Sequence, residues 1–216
     1  MSVSRPPARR RRRRAGVIGL VLLLAGLGVL GWVAWEMLGT NVVSRHRADA
    51  IRGQTERDWA RGNSGTALGI LHVPRFGRSY AVPILEGFGD DVLAKGIAQY
   101  PQGAQVGRIG NYVLAAHRVT HGEPFRSFPD LRRGDVVRIE TRTAVYTYRL
   151  RSSGQAITVD FHTSWPLWPV PDPDAKGRKP TRRVITLLTC SELFHTDNRS
   201  VVVGDLVSKT VRHRSA

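Results

Sequence analysis

The sequence predicts an all-β domain, a closed or nearly closed β-barrel with short helices, preceded by one transmembrane helix. Two observations predict the barrel: about eight short apolar runs rich in β-branched residues follow residue 66, and few helical patterns lie between them. A third observation, one long apolar run near the N-terminus, predicts the membrane span.

The N-terminal region has the pattern of a single-pass membrane anchor. Residues 1–14 form a basic tail with six consecutive arginines, and an apolar run over residues 15–38 is broken only by Glu36. As a helix, this run would be about 36 Å long, enough for a hydrocarbon core of about 30 Å. A signal peptide is the competing interpretation, but its apolar region is usually only about 7–15 residues. The arginines predict a cytoplasmic N-terminus, which places the domain outside the cell membrane.

Residues 39–65 are predicted to form an extracellular linker. The segment is polar and charged, and it closes in Gly62-Asn63-Ser64-Gly65. A short surface helix over about residues 48–60 and a flexible tether both fit this composition. The β-rich domain is assigned to residues 66–210, and residues 211–216 to a C-terminal tail.

Short strands dominate the domain, with turn residues between them. One or two helical turns are expected over residues 90–97, with an aspartate at the N-cap, and a turn or short helix over 124–131. Residues 161–182 contain five of the twelve prolines and are expected to form a long loop without continuous sheet pairing. The predicted strands cover residues 67–73, 81–85, 111–116, 136–140, 144–150, 155–159, 183–190 and 200–207.

The charge of the chain raises two binding hypotheses. The formal net charge is +16, of which residues 1–65 and 66–216 contribute +8 each. Nucleic-acid binding must be considered for so basic a chain, but no zinc-ligand set, basic helix with heptads or aromatic RNA-binding signature is present. We therefore expect no nucleic-acid partner. The second hypothesis is that the membrane-anchored barrel binds anionic cell-wall polymer through its net charge and has no catalytic activity.

Cys190 is the only cysteine, so the domain has no intramolecular disulfide. It ends the apolar run that begins at Val184, which predicts a buried strand that delivers a thiol to a sheet edge. A buried structural cysteine is the common alternative. A cysteine nucleophile needs a basic or cationic neighbour, because a thiol with a pKa near 8.5 is only slightly ionised at neutral pH.

His117 is the favoured histidine, because it follows a strong apolar strand just as Cys190 ends one, and two strand ends can meet on one rim of a barrel. This geometric argument does not exclude the others. His72 interrupts an apolar strand and could be an interior residue with a satisfied hydrogen bond. The remaining five lie in the linker, in polar loops, at the start of the proline-rich loop and near the C-terminus: His46, His121, His195, His162 and His213.

Arg199 opens the apolar strand that follows Cys190 after a nine-residue excursion. A strand that returns in this way would bring Arg199 beside Cys190, where a guanidinium group could bind a substrate carbonyl or an oxyanion. The alternative is a solvated surface arginine, one of 29 in the chain. The order His, Cys, Arg does not match papain-like enzymes, in which the cysteine precedes the histidine.

With these residues in view, residues 66–210 resemble the sortase family, specifically its class E branch. Thr-Leu-Leu-Thr-Cys at 186–190 is similar to the sortase signature, and His117-Arg118 to its histidine segment. Arg199 takes the sortase arginine position, and Tyr100-Pro101 is similar to a class E pair. The N-terminal anchor and the Trp-Pro-rich loop fit as well.

Two positions depart from the family pattern. Ala116 stands where many members have glycine before the histidine, and Val106 stands where a proline commonly precedes Gly107. Neither change removes a catalytic group.

The resemblance implies an eight-stranded sortase-type barrel that acts as a cysteine transpeptidase. Cys190 would attack the Thr-Gly carbonyl of a C-terminal sorting signal on a secreted protein, and Arg199 would stabilise the oxyanion. His117 would protonate the departing amine. An amino group of a peptidoglycan precursor would then resolve the thioester, which leaves the protein attached to the cell wall.

Two further residues are assigned to substrate binding. Tyr100 resembles the class E tyrosine linked to a Leu-Ala-x-Thr-Gly signal, with a rim aromatic as the alternative. Thr189 is expected to orient the substrate or the arginine; the alternative is a strand hydroxyl bonded to backbone. No metal-ligand spacing is visible in the sequence, so neither a metal nor another cofactor is predicted. The remaining predicted partner is membrane lipid around the N-terminal helix.

Overall fold

The computed structural model describes residues 8–35, 39–190 and 197–212. The chain divides into two compact units, Met1–Gly39 and Thr40–Ala216. We describe the two units separately.

The first unit is helix α1, Ala8–Ala34. It contains an 18-residue window, Gly16–Val33, with a mean hydropathy of 2.4, and the side chains in this window are exposed. A helix of this length and composition can cross a membrane, which is consistent with the predicted anchor. It also includes the six arginines of the predicted tail. The last residues of the predicted span, 36–38, lie outside the described part of the chain.

The second unit begins with helix α2, Thr40–Ala60, in the segment that was expected as a linker. The helix starts well before residue 48, and it belongs to the same compact unit as the strands. Its buried residues are Asn41, Ser44, Thr55 and Trp59. Three of these four are polar, so the buried stripe does not appear as a hydrophobic pattern in the sequence. Thr55 illustrates the packing, because its hydroxyl accepts a hydrogen bond of 3.1 Å from the backbone N–H of Ala67.

Nine strands form one sheet in the described part of this unit, and eight of them close into a barrel. Along the sheet the order is β6-β5-β1-β2-β3-β4-β8-β9, and pairing between β6 and β9 closes the ring. This confirms the predicted eight-stranded barrel. The strands are β1 Gly69–His72, β2 Val82–Glu86, β3 Ile97–Gln99, β4 Gly110–Ala115, β5 Val136–Glu140, β6 Ala144–Leu150, β7 Thr158–Asp160, β8 Arg183–Cys190 and β9 Asn198–Val211.

The membership of the barrel differs from the prediction in one strand. β3 was not predicted, whereas β7, predicted as a barrel strand over 155–159, pairs only with the beginning of β9 and stands outside the ring. The helical turn α3, Asp90–Leu93, is shorter than expected, and Gly89 rather than an aspartate occupies its N-cap. Three 3-10 turns complete the described elements: Pro74–Phe76, Phe128–Asp130 and Trp165–Leu167.

Strand β8 is buried on both faces. Its inner residues Ile185 and Leu187 belong to the barrel core, which is built around Tyr112, Tyr148 and Phe125. Its outer residues Val184, Leu188 and their neighbours on β4 and β9 form a second cluster, covered by side chains of β7 and of the 161–182 loop. Burial on both faces explains why the sequence of β8 is a continuous apolar run.

Asn111 holds the 161–182 loop against the outer face of the barrel. Its side-chain amide donates hydrogen bonds to the carbonyls of Pro166 and Trp168, over 2.8 and 2.9 Å, and its oxygen accepts one from the Thr186 hydroxyl over 2.7 Å. Asn111 is almost fully buried, so these bonds replace its lost hydration.

Candidate active site

Strands β4 and β8 run parallel and end side by side. Their register pairs Gly110 with Arg183 and continues to Ala115 with Leu188. One residue further, the Ala116 N–H donates to the Leu188 carbonyl over 3.2 Å. The next residues along the two strands include His117 and Cys190. The register therefore brings the two predicted strand ends together on one rim of the barrel.

Strand β9 returns along the other edge of β8. The antiparallel register pairs Cys190 with Arg199 and Thr189 with Ser200. The connecting residues 191–196 lie outside the described residues. The backbone positions of His117, Cys190 and Arg199 thus lie at the ends of three adjacent strands.

The side chain of His117 is half-buried and packed within its own loop. Its ring stacks on that of His121, with 4.7 Å between centroids and 27° between planes. The Thr120 hydroxyl lies 3.5 Å from Nδ1, at the outer limit of hydrogen bonding. His121 was expected to be an ordinary surface residue, and its stacking on His117 was not predicted. The four-residue spacing of the two histidines across a short polar loop was the available signal.

The guanidinium group of Arg199 lies over the ring of Phe161, with Cζ 4.9 Å from the ring centroid. Nη1 also donates to the carbonyl of Asn198 over 3.0 Å. A guanidinium on an aromatic face gains cation–π stabilisation and a defined plane. Phe161, the first residue of the proline-rich loop, is therefore a contact of the site that the sequence did not indicate.

Thr189 and Tyr100 occupy different environments. Thr189 is buried, and its hydroxyl donates to the Ala116 carbonyl over 2.8 Å, which is the backbone-bonded arrangement considered as the alternative for this residue. Tyr100 is half-buried, packs against the outer-face cluster and meets the Phe88 ring edge to face at 5.2 Å. Tyr100 therefore lines the same outer face that β4, β8 and β9 share.

Two other histidines have carboxylate partners away from these strand ends. His72 Nε2 on β1 lies 2.9 Å from Glu140 Oε2, and this hydrogen bond lowers the pKa of Glu140 despite partial burial of its carboxyl. His162 Nδ1 lies 3.0 Å from Asp160 Oδ1 at the surface. His46 is exposed on α2, while His195 and His213 lie outside the described residues.

Among residues 8–35, 39–190 and 197–212, no group of three or more histidine, cysteine, aspartate or glutamate side chains could hold a metal ion. The prediction that no cofactor is needed stays a prediction.

A closed barrel that presents a cysteine, a histidine and an arginine on adjacent strand ends defines the class: a sortase-type barrel protein. The Sortase domain profile matches residues 71–207. The chain belongs to the sortase family, as its sequence motifs predicted.

Similar proteins support the class E branch. Sortase SrtE1 of Streptomyces coelicolor is 32% identical over 98% of this chain, and the chain spans 64% of the length of that relative. Sortase SrtE2 of the same organism is 30% identical over 94% of this chain and 86% of its own length. The structure of S. coelicolor sortase E1 with a tripeptide in the active site is 29% identical, with a TM-score of 0.60 over 70% of this chain and 94% of its own.

Proposed function

We propose that this protein is a membrane-anchored cysteine transpeptidase that joins secreted proteins to an amino group of the cell wall. The observation that supports this most directly is the register of β4, β8 and β9, which brings His117, Cys190 and Arg199 to neighbouring strand ends. Membership of the sortase family supports the same reaction class.

The proposed reaction has two acyl-transfer steps. The Cys190 thiolate attacks the Thr-Gly carbonyl carbon, a thioester forms, and the Thr-Gly C–N bond breaks. His117 gives a proton to the departing glycine amine as general acid. An amine then attacks the thioester carbon, a new amide forms, and the cysteine sulfur leaves. A base, in our proposal His117, accepts the proton that this amine loses.

Arg199 is assigned to the oxyanion of both tetrahedral intermediates. A guanidinium group presents several N–H donors in a fixed plane, and such donors stabilise negative charge that develops in the transition state. Its position over Phe161 supports this role, because a stacked guanidinium loses less orientational freedom when a substrate binds.

We propose that the sorting signal binds at the rim where β4, β8 and β9 end, beside the 161–182 loop that covers the outer face of these strands. Tyr100 lines this face, and the tripeptide named for the structure of S. coelicolor sortase E1 supports a peptide site in the active-site region. We assign a Leu-Ala-x-Thr-Gly-like signal from the class E resemblance, with Tyr100 as the residue that reads it and Thr189 as a residue that orients the substrate or Arg199.

We propose that α1 anchors the protein in membrane lipid with the N-terminus in the cytoplasm, because the arginines precede the apolar window. The catalytic unit then faces emerging secreted proteins and the peptidoglycan precursor. An N-terminal reporter is expected to be protected from external protease in intact cells. Accessibility of that reporter from outside would contradict this orientation.

The test of the reaction uses the full chain in detergent, a Leu-Ala-x-Thr-Gly peptide and triglycine. We expect a ligated product of the correct mass, which Cys190→Ala does not form. Absence of product from the unaltered protein, together with full complementation of a deletion strain by Cys190→Ala, would overturn the proposal. Salt-sensitive affinity for anionic wall polymer in that case would favour the non-catalytic alternative.

A further inference from the structure

The loop that follows β4, residues 117–127, closes on its own first residue. The backbone N–H of Phe125 donates to the carbonyl of His117 over 3.0 Å, and the Phe125 side chain is fully buried. We call this segment the histidine loop. Its base is fixed in the barrel core, and its tip, residues 119–123, is bonded to helix α2.

The tip of the histidine loop has an unfavourable backbone conformation. His121, Gly122 and Glu123 are consecutive residues with φ angles of 53°, 85° and 53°. His121 and Glu123 are also the two non-glycine residues with positive φ in the described parts of the chain. L-amino acids with a side chain disfavour this region, so the conformation persists only where surrounding groups impose it.

Helix α2 supplies two of those groups through one side chain. The Asn41 side-chain oxygen accepts a hydrogen bond of 2.9 Å from the Gly122 N–H, and its nitrogen donates to the Val119 carbonyl over 3.3 Å. Asn41 is 7% exposed, so both bonds are made away from bulk water. The amide thus satisfies backbone groups on both sides of the loop tip.

Arg45 lies one turn later on the same face of α2. Its Nε donates to the Gly122 carbonyl over 3.1 Å, and Nη2 lies 2.9 Å from Glu123 Oε2. The Glu123 side chain is only 12% exposed, although that of Arg45 is 57% exposed. Because this carboxylate is largely removed from water, its negative charge is stabilised mainly by its arginine partners, Arg45 and the neighbouring Arg126.

The loop tip held by α2 is what presents the His121 ring to His117, at 4.7 Å between centroids. The direction of the His117 nitrogens depends on the plane of its ring, and proton transfer requires those nitrogens within hydrogen-bond reach of the reacting groups. We infer that Asn41 and Arg45 are positioning residues: through the histidine loop and His121, helix α2 fixes the imidazole of His117. The inference rests on the role of His117 in the proposed function.

The test compares Asn41→Ala and Arg45→Ala with Arg47→Ala, which removes an exposed arginine from the same helix. We use the full chain in detergent and the peptide ligation assay, with circular dichroism to determine the folded fraction. For the two positioning variants we expect kcat to fall roughly 10- to 100-fold, since small misplacements of a catalytic group have effects of this size. KM for the peptide should change less than about twofold, because the peptide-binding face is untouched. Arg45→Lys retains the positive charge but not the two separate guanidinium donors, so its loss of kcat should be intermediate.

A second measurement does not depend on catalysis. Nuclear magnetic resonance of histidine-labelled protein should show that Asn41→Ala and Arg45→Ala shift the ring signals of His117 and His121, whereas Arg47→Ala does not. If the unaltered protein forms no ligated product, the proposed function fails, and the ring signals alone decide the positioning role. Should Asn41→Ala fail to fold, His121→Ala, which breaks the last contact and leaves α2 intact, is expected to give the same loss of kcat. Unmoved ring signals, or an equal loss of kcat in Arg47→Ala, would overturn the inference.

Discussion

Thr189 and Ala116 are joined across β8 and β4 by a hydrogen bond of 2.8 Å from the threonine hydroxyl to the alanine carbonyl. Each of these residues directly precedes a proposed catalytic residue, Cys190 and His117. The bond therefore fixes the two strand ends to each other at the position where the chemistry is proposed, in addition to the regular backbone ladder.

Replacement of this hydroxyl should weaken both the fold and the reaction. Thr189→Val keeps the volume but leaves the Ala116 carbonyl without its donor, so we expect the free energy of unfolding to fall by about 1–2 kcal/mol. We also expect kcat to fall, because the strand ends are less firmly held. Urea unfolding and the ligation assay measure the two effects. Thr189→Ser retains the hydroxyl and is the control; valine and serine variants of equal stability would contradict the role of the bond.

Arg199 should not tolerate replacement by lysine. A lysine ammonium has the charge but not the planar set of donors, so we expect kcat to fall by about 10²–10³ if the arginine binds the oxyanion. Phe161→Leu, which removes only the stacking partner, should cost much less, on the order of a few-fold. Arg142→Lys, at an exposed turn, is the matched control. Equal turnover in the Arg199 and Arg142 variants would show that the guanidinium has no special role.

Two glycines with positive φ should respond differently to substitution by alanine. Gly107 and Gly134 have φ angles of 72° and 93°, so each substitution introduces backbone strain of about 1–2 kcal/mol. A Cβ at Gly107 would also overlap the ring of Tyr146, whereas a Cβ at Gly134 would have no atom within 4 Å. We therefore expect Gly107→Ala to lose a further 1–3 kcal/mol, roughly the cost of overpacking. Urea unfolding measures the difference, and equal losses would contradict the overlap.

Asp135 should make the fold sensitive to acid. Arg75 donates two hydrogen bonds to its carboxylate, over 2.8 and 2.7 Å, and these lower the pKa of Asp135, with a further backbone hydrogen bond from Arg132. Because the pKa of Asp135 is lower in the folded protein than in the unfolded chain, the ionised carboxylate stabilises the fold. This stabilisation is fully present above the unfolded-state pKa of about 3.9, and it is lost as the pH falls through the folded-state pKa.

The variant Asp135→Asn should therefore lose stability at neutral pH and depend less on pH below about 5. Unfolding free energies measured by urea titration at several acidic pH values test this. A variant that loses stability in acid as steeply as the unaltered protein would show that other carboxylates dominate.

The sequence predicted the barrel well where strands have a strong pattern. β8 is apolar on both faces, so its seven-residue run is visible without knowledge of its partners. β3 has only three residues, and it pairs in parallel with β2 and antiparallel with β4, which no local pattern records. The sequence does not distinguish helix α2 from a flexible tether, because the buried side chains of this helix are mostly polar. Asn41, for example, is hydrogen-bonded to a loop far away in the sequence.

In the candidate site, too, residues on regular strands could be predicted from the sequence and residues in irregular segments could not. His117, Cys190 and Arg199 are at strand ends, and a regular sheet converts sequence position into spatial position. His121 contacts His117 and Phe161 contacts Arg199 from irregular segments, while Asn41 bonds to the loop tip that contains His121. The loop tip that contains His121 is bonded to α2, about 80 residues earlier in the chain, since Gly122 and Asn41 are 81 positions apart. Composition and periodicity cannot predict such a long-range contact.

The two edges of strand β9 pair with different strands. One edge pairs with β8, including Arg199 with Cys190, while the other edge pairs first with β7 and then with β6 to close the barrel. β9 is also the last of the described strands in chain order, so closure and the Cys190–Arg199 pairing are completed by the same segment. If the proposed roles hold, a nascent chain still emerging from the membrane would have a thiol without its arginine partner. Until β9 has been synthesised and has paired with β8, such a chain could not act on neighbouring exported proteins.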